Sequence, residues 1–238
     1  MNWTDEYSEI VEFYYWEPQH IGRAKGERRF TGAVEMLDHI NNIEVSLNHI
    51  LSLFFSLYDV NRLAESIPMP AGLKFVSSKQ LSVWQNEMKD YTQPDLYFQG
   101  DDANLAIELK LGAKIDCEQI AKYIIFNHHV SEKPKPLSLI VLSPTADIES
   151  ISKEKFKSLL DVRSALLDYI PSKKSLLFCS YEQYLKELGQ FKINTLSLSE
   201  LVSALLKNTH ENDIEMKLVN GLIAYLSGRS LVDPIDPN

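Results

Sequence analysis

Cysteine is nearly absent: the 238 residues hold two, Cys117 and Cys179. They lie far apart in apolar surroundings and make neither a disulfide framework nor a metal-ligand spacing. Both are expected as buried free thiols in a reducing compartment. Long hydrophobic runs are missing as well. The most apolar stretch, 50–57, is too short to span a bilayer. The opening MNWTDEYSEI is acidic without an apolar core, so no secretory leader is expected. Positive charge is in deficit. A net charge of −9 argues against broad, undirected nucleic-acid binding, yet leaves room for a local basic groove. No Gly-rich phosphate loop and no Ser-His-Asp set can be found, so ATP hydrolysis is not expected. His39 and His49 are too isolated for a zinc site, and His128-His129 read as structural residues at a helix end. Internal repeats and low-complexity linkers are also lacking. With 45% hydrophobic residues the chain can bury a sizeable core. The expectation is one soluble, cytoplasmic domain over 1–238.

What is present concentrates between Gln93 and Phe126. From Leu105 to Leu111 apolar and other residues alternate without a break. A strand turns successive side chains to opposite faces, so Glu108 and Lys110 share one surface. Pro94-Asp95 opens a second strand-like run, and Gly100-Asp101-Asp102 suits a tight hairpin between strands 94–99 and 104–111. A helix over 116–129 follows. Cys117, Ile120, Ala121, Ile124 and Ile125 form its apolar arc. Gln119, Lys122, Tyr123 and Phe126 form the opposite arc, with Gln119 and Tyr123 one turn apart and expected to face a cleft.

Around this stretch the pattern predicts further elements. Residues 1–22 read as an aromatic, acidic helix or arm on the body. Helical spacing appears from 30 to 40 and again at 43–58, the latter apolar nearly all round and expected buried. Strands are expected at 73–76, at 80–84, at 137–142 (continuously apolar, hence buried) and at 175–180. Helices are expected at 153–169, 181–188, 198–207 and 211–227. Arg23, Lys25, Arg28 and Arg29 make the densest basic cluster, either a solvated helix end or a weak nucleic-acid contact.

Pro94-Asp95, then Glu108-Leu109-Lys110, then Gln119-x-x-x-Tyr123 resemble the PD-(D/E)XK phosphodiesterase superfamily, and the QxxxY element is similar to that of its RecB-like nucleases. The resemblance covers roughly 25–143, leaving 144–238 as an extension packed on the core. It implies an α/β, restriction-endonuclease-like core: a mixed central sheet of about four to five strands flanked by helices, with extra helices at both ends. It implies a nuclease acting on DNA in defence, repair or a mobile element, with Mg²⁺ or Mn²⁺ held by Asp95 and Glu108. Lys110 would orient the attacking water or offset developing charge. Gln119 and Tyr123 would bond the backbone near the scissile phosphate. Glu27 best matches the first-helix glutamate that often joins such sites, and Glu35 is the second choice. A homodimer, or a protein partner for targeting, is compatible with it.

An isolated Glu-x-Lys pair is an ordinary solvated charge pair; the conjunction of motifs separates this chain from that case. Asp95 and Glu108 are then expected within reach of one cation, more exposed than the other face of their strands. The alternative is a catalytically silent relative that binds nucleic acid or a protein.

Overall fold

The computed structural model describes residues 2–7, 43–88, 93–131, 135–169, 179–209 and 213–233. Glu27, Glu35, the basic cluster Arg23, Lys25, Arg28 and Arg29, and most of the run expected as a strand at 175–180 lie outside these.

Five strands form one open, mixed sheet in the order β1-β2-β3-β4-β5, flanked by helices. They are β1 (Lys74–Phe75), β2 (Leu96–Gln99), β3 (Asn104–Leu109), β4 (Leu137–Ser143) and β5 (Lys192–Ser197). β1, β2 and β3 pair antiparallel, whereas β4 and β5 continue the sheet parallel to β3. The helices are α1 (Ile43–Leu57), α2 (Ser78–Glu87), α3 (Cys117–Val130), α4 (Ile148–Ile151), α5 (Leu159–Asp168), α6 (Tyr181–Gln190), α7 (Leu198–Asn208) and α8 (Asp213–Gly228). A 3₁₀ turn spans Val60–Glu65.

The alternation in β2 and β3 sorts two cores, one on each face of the sheet. Leu96, Phe98, Leu105, Ile107 and Leu109 pack with Ile140 and Leu142 against α1, α7 and α8. Tyr97, Ala106, Leu139 and Val141 pack on the other face against α3, α5 and α6. Both faces are thus covered, as the continuously apolar β4 requires. All six residues of β3 are buried. That corrects the expected exposure of the charged face: Glu108 is 4% and Lys110 7% exposed, because α3 lies over them.

α3 itself is buried on more than its apolar arc. Tyr123, expected toward a cleft, is buried, as is Phe126 on the same arc, whose ring meets Tyr97 at 5.7 Å and Trp84 at 6.3 Å. Three other readings change. Residues 80–84 belong to α2 rather than a strand, since the Ser77 hydroxyl accepts the Gln80 N–H and starts a helix there. The helix expected over 153–169 begins only at Leu159, after Ser158 caps it. The sheet gains β5, whose half-exposed, half-polar KINTLS carries no strong strand signal.

One long-range anchor is also visible. The Trp3 indole N–H donates to the Leu218 carbonyl at 3.0 Å, and the Asn2 amide to the Gly221 carbonyl at 3.2 Å. A Cβ on Gly221 would lie 1.9 Å from Trp3 Nε1, so α8 needs glycine for this close approach.

Candidate active site

β2 and β3 pair with Leu96 opposite Ile107 and Tyr97 opposite Ala106. Continued by one residue, that register sets Asp95 across from Glu108. Strand pairing ends there, and the Asp95 side chain takes the next rung: its Oδ2 accepts the Leu109 N–H at 2.8 Å. The Lys110 N–H goes the other way, to Leu142 of β4. Asp95 Oδ1 accepts the Asn48 amide of α1 at 2.5 Å, so that helix holds the other side of the carboxylate.

Glu108 is surrounded by donors. Its Oε1 accepts Lys110 Nζ at 2.6 Å and Gln119 Nε2 at 2.7 Å, and its Oε2 accepts the Tyr123 hydroxyl at 2.5 Å. Gln119 Nε2 also reaches the Tyr123 oxygen at 2.6 Å. The Asp116 carboxylate caps α3 by accepting the Gln119 N–H, which sets the first turn at the end of β3. Gln119 and Tyr123, one helical turn apart, therefore both end on Glu108. In this structure the contact both make is with that carboxylate, which they aim. A buried carboxylate with three donors is held in one orientation, as a ligand to a cation needs to be.

The charges do not balance. Burial pushes the Asp95 carboxyl up to about 7, and the Glu108 charge adds to the rise; the Leu109 N–H and Lys110 only partly offset it. Tyr123 is raised well above its ordinary value by burial and by Glu108, so it stays a neutral donor. Glu44, in the first turn of α1, joins the same field: burial raises it, Lys110 lowers it and Glu108 raises it again. Glu44 was not among the expected site residues. It stands one turn before Asn48, which touches Asp95, and that contact is invisible in sequence because 47 residues separate the pair.

Among the described residues, no group of three or more His, Cys, Asp or Glu side chains is arranged to hold a metal ion. Mg²⁺ does not require one, since it commonly takes one or two carboxylates and fills its other positions with water and phosphate. Asp95 and Glu108 fit that demand: their mutual repulsion is what a divalent cation would relieve. His128 is not part of this cluster; its Nδ1 faces Glu187 of α6 at 3.2 Å.

No protein-family model, no curated protein and no solved structure matches the chain.

Proposed function

We propose that this chain is a Mg²⁺- or Mn²⁺-dependent nuclease, hydrolysing phosphodiester bonds of nucleic acid on a restriction-endonuclease-like core, with DNA the expected substrate. The observation that carries the reading is one strand pairing. Asp95 and Glu108 fall opposite each other where β2 ends, with Lys110 Nζ 2.6 Å from Glu108. A silent scaffold has no need of a carboxylate pushed up to about 7 by its neighbour and its burial.

A bound divalent cation supplies Lewis-acid polarisation of a phosphoryl oxygen and acidifies a water. Asp95 and Glu108 are the residues that would hold it. Gln119 and Tyr123 keep Glu108 aimed, so the geometry is set before substrate arrives. Lys110 stands where its ammonium can offset charge developing on phosphate oxygens or orient the water. Glu44 adds negative potential from the α1 side. The two buried thiols accord with a cytoplasmic protein, and no helix among the described residues is long and apolar enough to cross a membrane.

Cleavage of labelled DNA and RNA with Mg²⁺, Mn²⁺ or chelator tests the activity directly. The site itself has a signature that needs no substrate. Asp95 rises from the ordinary carboxylate value of ~3.9 to about 7 in the folded chain, so the folded state holds the extra proton. The Asp95 contribution to the stability of the metal-free protein is then fully present below about pH 4 and is lost as pH climbs through 7. Mg²⁺ should raise the melting temperature well above pH 7 and much less below it, where protons compete for Asp95. Asp95→Asn should flatten both trends. Equal Mg²⁺ shifts in wild type and Asp95→Asn would place the cation elsewhere.

A further inference from the structure

Six lysines follow the carboxyl ends of β3 and β4, where open α/β sheets place their ligands: Lys110, Lys114, Lys122, Lys153, Lys155 and Lys157. Three are engaged. Lys110 meets Glu108 at 2.6 Å, Lys122 meets Glu118 at 2.6 Å and Lys153 meets Asp116 at 2.5 Å. The nearby acids are engaged too. Asp116 also accepts the Gln119 N–H, Glu154 accepts the Cys117 N–H at 3.1 Å, and Asp161 accepts the Lys157 N–H at 3.0 Å. Lys114, Lys155 and Lys157 are exposed and make no ion pair among the described residues. These three ammonium groups stand without a carboxylate partner among the described residues, in a chain of net charge −9.

The segment carrying it is fixed. The Ile115 N–H donates to the Ile151 carbonyl and the Lys153 N–H to the Ile115 carbonyl, both at 2.9 Å, tying the loop after β3 to the loop after α4. Phe156 is buried between the two free lysines, with its N–H on the Ser152 hydroxyl at 3.0 Å. Lys155 holds φ at 53°, a left-handed conformation uncommon for a residue other than glycine or asparagine. An unbroken chain of polar contacts connects this shelf to the site: Lys153 to Asp116, Asp116 to the Gln119 N–H, and Gln119 Nε2 to Glu108.

We propose that Lys114, Lys155 and Lys157 form a ledge that holds the phosphodiester backbone of a polynucleotide strand as it runs past Asp95 and Glu108. The proposal rests on the nuclease reading for its direction, and its recognition chemistry is phosphate alone, shared by DNA and RNA. Such contacts position a strand without reading its sequence.

The test uses the full chain in Ca²⁺, with fluorescent single strands of roughly 20 nucleotides, DNA in one arm and RNA in the other, titrated between about 50 and 200 mM salt. In the triple variant Lys114→Gln/Lys155→Gln/Lys157→Gln, affinity at the lowest salt should fall at least about tenfold. The slope of log affinity against log salt should shrink by about 2, the value for three phosphate contacts on a single strand. The matching triple arginine variant should retain both. A loss in both arms assigns the ledge to phosphate, and a loss in one arm assigns it to that type of strand. In parallel, metal-dependent hydrolysis of bis(p-nitrophenyl) phosphate, which has no neighbouring phosphate to reach the ledge, should be unchanged. Unchanged strand affinity in the glutamine variant overturns the ledge and leaves the nuclease reading standing, as does wild type that binds no strand at low salt yet hydrolyses the small diester. A salt-dependent loss of binding with no hydrolysis of any substrate keeps the ledge and overturns the nuclease reading.

Discussion

β3 begins at buried Asn104 and closes around buried Glu108 and Lys110, and its two ends are built on opposite terms. At the start, Asn104 joins Asn127 of α3, Tyr97 of β2 and Ser131 in a network without a carboxylate. The Asn127 oxygen accepts the Tyr97 hydroxyl at 2.7 Å and the Asn104 amide at 2.9 Å, and its nitrogen donates to the Lys135 carbonyl at 2.7 Å. Lys135 Nζ closes the ring on the Gly100 carbonyl at 2.7 Å. The partners of these groups all lie within the chain. At the other end, three carboxylates, Asp95, Glu108 and Glu44, share the field of one lysine, and burial lifts one of them to about 7. The same two strands and the same helix make both clusters. A satisfied network specifies the fold; a cluster left with surplus charge is stable only in company, and such local violations gather at functional sites.

Substitutions at the two ends should therefore separate cleanly. The largest effect is expected at the charged end. Asp95→Asn or Glu108→Gln should lower metal-dependent cleavage by about a thousandfold or more, with the circular dichroism of the fold retained; cleavage that survives both would point to another site. Lys110→Met comes next, at about a hundredfold or more in turnover. Strand affinity in Ca²⁺ should fall far less, because one contact is a small share of binding. Removing Lys110 also strands a buried Glu108, so metal-free Lys110→Met should lose roughly 3–5 kcal/mol by urea titration. At the Asn104 end Asn127→Leu should cost about 2–3 kcal/mol, since it removes the Asn127 partner of the Tyr97 hydroxyl, of the Lys135 carbonyl and of the Asn104 amide, which keeps Ser131. Turnover of the folded fraction should stay at the wild-type value; a drop in kcat would erase the distinction between the ends. The smallest change is Tyr123→Phe, which removes one of three donors on Glu108. A decrease of roughly tenfold in kcat with little change in melting temperature is expected. A loss of stability without loss of kcat would make Tyr123 a core residue only.

The pattern of β3 was readable from sequence because alternation survives any context. Leu105, Ile107 and Leu109 do face one core while Ala106, Glu108 and Lys110 face the other way. What alternation does not report is what lies on top. The burial of Glu108 follows from α3 crossing that face, and helix placement is a tertiary fact. Gln119 and Tyr123 were legible as a pair, but their bonds to Glu108 were not, for spacing along a helix says which residues share a face and not what they touch. Glu44 was invisible for a related reason: it reaches the cluster through α1, on the far side of an apolar stretch that only packs it there. β5 escaped notice because an edge strand can be half exposed, and Lys192, Asn194 and Ser197 dilute its pattern. α2 is the exception. Ser77 three residues ahead of Gln80 is a readable helix start.

The anchor of Trp3 on α8 sets an order of events during synthesis. Every contact of Glu108 with Lys110, Gln119 and Tyr123 spans at most 15 residues, and Asp95 finds Leu109 across 14. Those groups leave the ribosome together. Trp3 has to wait for Leu218, 215 residues later, which at ordinary elongation speeds is roughly ten to forty seconds. The carboxylate cluster can therefore assemble long before the helix that receives Trp3 exists. During that interval the α1 face of the sheet lacks α7 and α8, so the nascent chain exposes Leu105, Ile107 and Leu109 on strands already paired. Covering that face with a chaperone during the window, or shortening the window by faster elongation, is where yield of the folded protein would be gained.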